Sequence, residues 1–408
     1  MIAQSKKVLL DEAQSEEYNF LEECSLTELR ERIRVELLAH LALIGLDPSS
    51  AASDRLYTKE LVRTRHAAQR AAFRVGEQQF LARNGRSLLS HFAEGHEILP
   101  EAIDPQISLV VSDTEDAALF RLATLLWSVP VSRGYGRRLR FLVRDRANGK
   151  LLGLFALTDP VFNLKARDTW IGWNADDRRQ RLVNVMDAHI VGSVPPYSFL
   201  LGGKVTAALM TSQEVCDAFA AKYSHRSGII SQQYKHAQLL LITVTSALGR
   251  SSLYNRLKLP GTVEFVRVGQ TTGWGHFHIP QPLFLLMREL LRREEHPYAS
   301  GHRFGQGPNW RLRVAREALR RVDLDPHLLQ HGISREVYGV PLVTRWRECL
   351  CGEEEIAVVS RPSAKEIGSL AINRWLIPRA RTRPDYLHWT REATWEQLTG
   401  GVPLFDKS

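Results

Sequence analysis

In SLTELRERIRVELLAHLALIGL the apolar positions Leu26, Leu29, Ile33, Leu37 and Leu41 recur at helical spacing. Ser25 and Glu28 stand at capping-box spacing, which sets the start of this helix, and Leu46-Asp47-Pro48-Ser49-Ser50 ends it. A second helix is predicted in KELVRTRHAAQRAAFRVGEQQFLARNG, basic along one side. Its Arg63, Arg65, Arg70 and Arg74 read first as a solvated face. From Pro100 the pattern shortens. ISLVVS reads as a strand, and DTEDAALFRLATLLW as an amphipathic helix capped by Asp113 or Thr114. RRLRFLVRDRANGKLLGLFALTD holds two apolar runs around Asn148-Gly149, a strong hairpin signal. ADDRRQRLVNVMDAHIVGSVPP predicts a helix leading into a strand, and LLGGKVTAALMTSQEVCDAFAAKY a helix opened by two glycines. LLLITVTSALGRSSLYNRLKLPGTVEFVRVGQTTGWGHFHI predicts a buried strand, a Gly-Arg-Ser-Ser turn, a short helix carrying Tyr254 and a β-hairpin.

Strands and helices in this order predict an α/β domain over residues 100–290. A helical region, 1–99, precedes it. A basic, partly irregular region, 291–408, follows, in which GHRFGQGPNWRLRVAREALRRVDLDP passes from a Gly- and Arg-rich loop into a basic helix. The length, 408 residues, fits about two to three folded units. Lys and Arg outnumber Asp and Glu by 54 to 45, a net charge of +9. Such a surplus favours a polyanionic partner when it is clustered and only solubility when it is spread. Cys24, Cys216, Cys349 and Cys351 are too sparse for a disulfide framework, which points to a reducing compartment. MIAQSKKVLLDEAQSEEYNF lacks the apolar run of a signal peptide, and no segment is apolar enough to span a bilayer. The expectation is a cytoplasmic protein that does not engage a membrane.

Gly202, Gly203 and Lys204 open a helix after a strand. Exposed amides, a close backbone and a point charge suit an anion there. The same residues also make a tight strand-to-helix turn. Arg250 and Ser251 add either phosphate ligands or a helix cap. Tyr254 stands either as a proton donor or, more commonly for an aromatic residue, as part of the core edge. In SRGYGRRLRFLVRDRANGK, seven basic residues including Arg133 and Lys150 face the single acid Asp145. Arg137, Arg138, Arg140, Arg144 and Arg146 are the candidate nucleic-acid contacts, and alternation places Arg138, Arg140, Arg144 and Arg146 on one strand face. His327 and His331 have i, i+4 spacing and Cys349 and Cys351 lie downstream, but this is no standard zinc spacing, and no metal is expected. His276 and His278 read as surface histidines. No Walker A loop, nucleophile elbow or helicase signature is present, so an ATP-driven step would belong to a partner.

LLGLFALTDPVFNLKARDTWIGW, then PYSFLLGGKVTAAL, then SSLYNRL with VEFVRVGQTTGWG, resembles the DruA family of the Druantia antiphage defence systems over residues 81–290. The resemblance implies one component of a multi-gene bacterial system whose other proteins, a helicase-like subunit among them, are its partners. The same pieces resemble a GNAT-type acyltransferase fold, which implies a mixed-sheet GNAT-like core. By that resemblance the Gly-opened helix is the acyl-CoA pyrophosphate site and Tyr254 the proton donor to a leaving thiolate. The family's R/Q-x-x-G-x-G/A spacing is absent from Tyr197-Ser198-Phe199-Leu200-Leu201-Gly202-Gly203-Lys204, so no cofactor is assigned. Two functions remain open: a nucleic-acid-binding or recognition subunit, and a group-transfer enzyme acting on nucleic acid or protein.

Overall fold

The computed structural model of the chain describes residues 24–43, 59–132, 134–224, 237–275, 279–301, 308–355 and 360–400. His276, His278 and Arg133 lie outside them. Helix α1 (Leu26–Leu43) comes first, followed by strand β1 (Pro105–Leu109) and helix α2 (Glu115–Thr124). Strands β2 (Arg138–Asp145) and β3 (Lys150–Thr158) lead to helix α3 (Lys165–Ile171) and strand β4 (Val185–Ser193). Helices α4 (Gly202–Leu209) and α5 (Gln213–Tyr223) precede β5 (Leu241–Thr245). Short strands β6 (Lys258–Leu259) and β7 (Val263–Glu264) precede β8 (Val266–Gln270). Helices α6 (Gln281–Arg293) and α7 (Pro308–Arg321) come before β9 (Glu336–Pro341). Among the described residues no helix is long and apolar enough to cross a membrane.

The chain forms two compact units. One gathers the residues up to Gln69 with Thr272–Ser334 and is helical. Its core joins the predicted α1 stripe, Leu29, Ile33, Leu37 and Leu41, to Leu283, Met287 and Leu290 of α6 and to Val314, Ala318 and Leu319 of α7. Burying one such leucine or isoleucine contributes roughly 1.5–3 kcal/mol, which explains why an amphipathic helix with few internal ion pairs is stable here. The predicted capping box forms: the Ser25 amide donates to Glu28 Oε2 at 2.7 Å, and the Glu28 amide donates to Ser25 Oγ at 3.2 Å.

The other unit, Arg70–Thr271 with the residues from Arg335 on, is α/β. Its seven-stranded sheet runs β1-β2-β3-β4-β5-β9-β8. The first four strands are mutually antiparallel, β4 and β5 are parallel, and β5, β9 and β8 are antiparallel. A parallel neighbour needs a crossover, and α4 and α5 supply it. One sheet face buries Phe141, Phe155, Met186, Ile242 and Val340 with Val205 and Leu209 of α4. The other buries Leu142, Leu154 and Ile190 with Leu119, Phe120 and Leu122 of α2. Two local expectations change. Ser252–Arg256 is a run of turns rather than a short helix, and β6 and β7 pair over two residues while β8 leaves to pair with β9.

A polar row on the sheet and a cationic helix start

The strand register builds one candidate site. Arg138 of β2 pairs with Thr158, Thr158 with Asp187, Asp187 with Thr243, and Thr243 with Gly339. Directly opposed residues share a face, so four polar side chains line up across the middle of the sheet. Gly339 ends the row because a Cβ there would lie 2.2 Å from the Trp170 ring of α3. Thr243 Oγ1 donates to Asp187 Oδ1 at 2.7 Å. Asp187 lies deep in the unit yet keeps some open surface. Burial pushes its carboxyl up to about 6, against the pull of Thr243 and Arg167. The phenol of Tyr135 is held above its usual range by burial and then by the charges of Asp187 and Asp159. Burial pushes His189 down to about 4, so its ring is neutral, and its buried Nδ1 has no hydrogen-bond partner. Arg167 is fully buried and tied to Asp168 at 2.6 Å and to the carbonyls of Val161 and Phe162 at 2.8 and 2.9 Å.

An acid whose folded value lies above its unfolded one stabilises the fold below the unfolded value and loses that contribution as pH rises through the folded value. Asp187 therefore becomes a burden between about pH 4 and pH 6. Asp187→Asn keeps the acceptor for Thr243 and should gain about 1–3 kcal/mol relative to wild type between pH 4 and pH 7. Urea melts at the two pH values measure this, and parallel pH profiles for the two proteins would refute it.

The glycines of the predicted anion site have packing reasons as well. Leu201 takes a left-handed turn, φ 61°, before α4. A Cβ on Gly202 would meet the Tyr197 carbonyl at 2.7 Å, and one on Gly203 would meet Leu253 at 3.2 Å. The start of α4 and the Tyr254 turn are thus in contact. Lys204 Nζ lies 5.5 Å from the Trp375 ring centroid. Burial, then the charges of Arg374 and Arg256, hold its ammonium below the usual lysine range. Among the described residues none of these three cations has a carboxylate partner. Arg250 is exposed. Ser251 is engaged: its amide donates to Glu336 Oε2 at 3.0 Å and its Oγ accepts from the Leu253 and Tyr254 amides. The anion at that turn is therefore the chain's own Glu336, which also accepts from Tyr338 Oη at 2.6 Å and Arg267 Nε at 3.0 Å. Tyr254 is buried, its ring 5.6 Å from Phe265 and 5.5 Å from Tyr338. Burial, then Asp187 and Tyr338, push its phenol above the usual range, so it stays protonated.

The arginines in and beside β2 are mostly engaged inside the unit. Arg137 pairs with Asp159 at 2.7 Å and donates to the Val183 carbonyl at 2.6 Å. Arg140 lies 5.7 Å from the Phe120 ring, and Arg144 pairs with Asp116 at 2.6 Å, both contacts to α2. Arg146 lies past the end of β2 and pairs with Asp104 at 2.9 Å. Arg138 is exposed and is the member that joins the polar row. Among the described residues no group of three or more His, Cys, Asp or Glu is gathered to hold a metal.

The family described as Druantia protein DruA matches residues 55–352. The chain is 46% identical over 365 residues to the Druantia protein DruA of Escherichia coli (strain UMEA 4076-1), covering 88% of this chain and 90% of that relative. The chain belongs to the DruA family. No solved structure matches it. The polar row, Gly202–Lys204 and Arg256 fall inside the span that matches DruA, and Arg374 lies beyond it.

Sequence reasoning brought Gly202–Lys204 and Tyr254 together but missed Asp187. Its signal was present in VMDAHIV: a carboxylate inside an apolar strand has to be partnered or functional. The partner, Thr243, lies 56 residues away, and only the register supplies it.

Proposed function

We propose that this chain recognises nucleic acid within a Druantia antiphage defence system. Membership in the DruA family makes it a component of that system, with other Druantia proteins as partners. A helicase-like subunit belongs to the proposal, because the chain carries no nucleotide-hydrolysing motif of its own. The observation that carries the nucleic-acid reading is the cluster of Lys204, Arg256 and Arg374 at the Gly-opened start of α4. Two arginines near enough to act on Lys204, with no carboxylate partner among the described residues, leave a positive potential, and a phosphate chain neutralises it. Replacing all three by Ala should weaken DNA binding and lower the log–log salt slope by about 2–3. The Arg138, Arg140 and Arg144 triple should lower it less, since Arg140 and Arg144 contact α2. An unchanged slope in the first triple would remove this site from the reading.

A second reading is group transfer on a GNAT-like core, with acyl-CoA as the donor. It is favoured by the polar row, by a Gly-opened helix that follows β4 and leads to its parallel neighbour β5, and by Tyr254 within electrostatic reach of Asp187. The amides of α4 with Lys204, Arg256 and Arg374 would hold the pyrophosphate. Asp187, carrying a value near neutrality, would accept a proton from the attacking group. Tyr254→Phe removes only a hydroxyl and should leave phage defence nearly intact under the first reading. A folded Tyr254→Phe protein without defence would make the enzyme the better account.

A further inference from the structure

The basic helix that the sequence singled out, α7, has a face the fold does not use. Val314, Ala315, Ala318 and Leu319 face the core of the helical unit. Arg313, Arg316 and Arg320 are exposed and recur at i, i+3 and i+7, which makes one stripe. Arg320 pairs with Glu317 at 3.2 Å. The contact of Arg313 is the neutral Tyr298 hydroxyl at 3.4 Å, and that of Arg316 is the ring of Trp274, whose centroid lies 5.9 Å from the guanidinium carbon. Among the described residues neither arginine has a carboxylate partner.

Trp274 lies beside this stripe, against Arg316. The residue remains 37% exposed, although tryptophan is a residue that proteins bury. It is held in place rather than loose. Trp274 bridges to Gln330, the Gly275 amide donates to the Leu329 carbonyl at 3.1 Å, and the Gly332 amide donates to the Gly273 carbonyl at 3.1 Å. Gly273 has φ 72°, and a Cβ there would meet the Gly332 backbone at 2.9 Å, so the two segments approach as closely as glycines allow. His327, also exposed, lies with its ring 5.3 Å from that of Trp274. The neighbouring carboxylate of Asp325 is spent on capping, accepting from the His327 amide at 2.8 Å.

We propose that Trp274, flanked by Arg316, Arg313 and His327, is a stacking platform for single-stranded nucleic acid on the helical unit. The proposal rests on the nucleic-acid reading above and adds a second, separate contact surface. An exposed, fixed indole offers its π-face to an unpaired base, and duplex DNA keeps its bases stacked and offers none. Arginines one helical turn apart track successive phosphates, and a ring already polarised by Arg316 suits a stacked base. An acidic protein would satisfy the arginines but would leave the indole without a use.

The test is fluorescence anisotropy with the full chain and a labelled oligothymidine of about 16 nucleotides, which spans a typical single-strand site. Trp274→Ala should weaken binding about 5- to 150-fold, and Trp274→Phe should retain most of the affinity. The Arg313→Ala/Arg316→Ala pair, on exposed positions that leave folding alone, should lower the salt slope by about 1–1.5. The proposal falls if the wild type binds and the arginine pair and Trp274→Ala, each with a native circular dichroism spectrum, bind as well as it does. It falls also if a duplex competes as strongly as the single strand. Absence of wild-type binding at low salt would instead remove the nucleic-acid reading and this platform with it.

Discussion

Deleting the gene for this chain from an otherwise complete Druantia system should raise phage plating to the level of cells that lack the system. Membership in the DruA family carries this expectation, since the match spans residues 55–352 and the Escherichia coli relative is 46% identical over 88% of the chain. Under the proposed recognition role the effect should be large, because recognition would precede every later step. Supplying the wild-type gene from a plasmid should restore protection. Efficiency of plating measures both. Undiminished protection after a clean deletion would show that the chain is dispensable, and the recognition role would be lost with it.

Gly339→Ala should destabilise the α/β unit by about 1–3 kcal/mol. Gly339 sits on β9 opposite Thr243, at the end of the polar row. The new Cβ would stand 2.2 and 2.5 Å from two atoms of the Trp170 ring. Trp170 cannot slide away freely, because its ring lies 4.3 Å from that of Trp346. Either α3 lifts from the sheet or β9 shifts, and both disturb the cover beside Asp187. Trp170→Ala in the same chain should relieve part of the strain, so the two substitutions should be non-additive. Thermal melts of the two single variants and the double variant measure this. A Gly339→Ala protein that melts with the wild type would contradict the packing described for this face.

The parts of the fold that were legible in the sequence are those whose determinants are local. Leu29, Ile33, Leu37 and Leu41 declare α1 because a helix repeats its buried face within a few residues. Asn148-Gly149 declares the β2–β3 hairpin because the turn needs a residue with positive φ, and Gly149 has φ 72°. The Tyr254 segment misled for the opposite reason. Ser251 is a good helix cap by composition, but its amide is held by Glu336, 85 residues away, and the chain turns instead of winding. The arginines in and beside β2 were legible as a cluster and not as a surface. Asp159, Asp116 and Asp104, which pair with Arg137, Arg144 and Arg146, come from a strand end, a helix and a loop whose approach no periodicity encodes. The Lys204, Arg256 and Arg374 cluster was half visible: the glycines and the lysine stood out in the sequence as a candidate, while the two arginines arrive from segments about 50 and 170 residues further on.

Nucleic-acid recognition by this chain can be measured on the protein itself. Titration of the purified full-length protein against labelled DNA, single-stranded and duplex, over a series of salt concentrations tests it most directly. Binding should weaken linearly in log K against log salt, with a slope that reflects several released counterions. The slope should be smaller once Lys204, Arg256 and Arg374 are replaced by Ala. A wild-type protein that binds neither form of DNA at low salt would rule out nucleic-acid recognition.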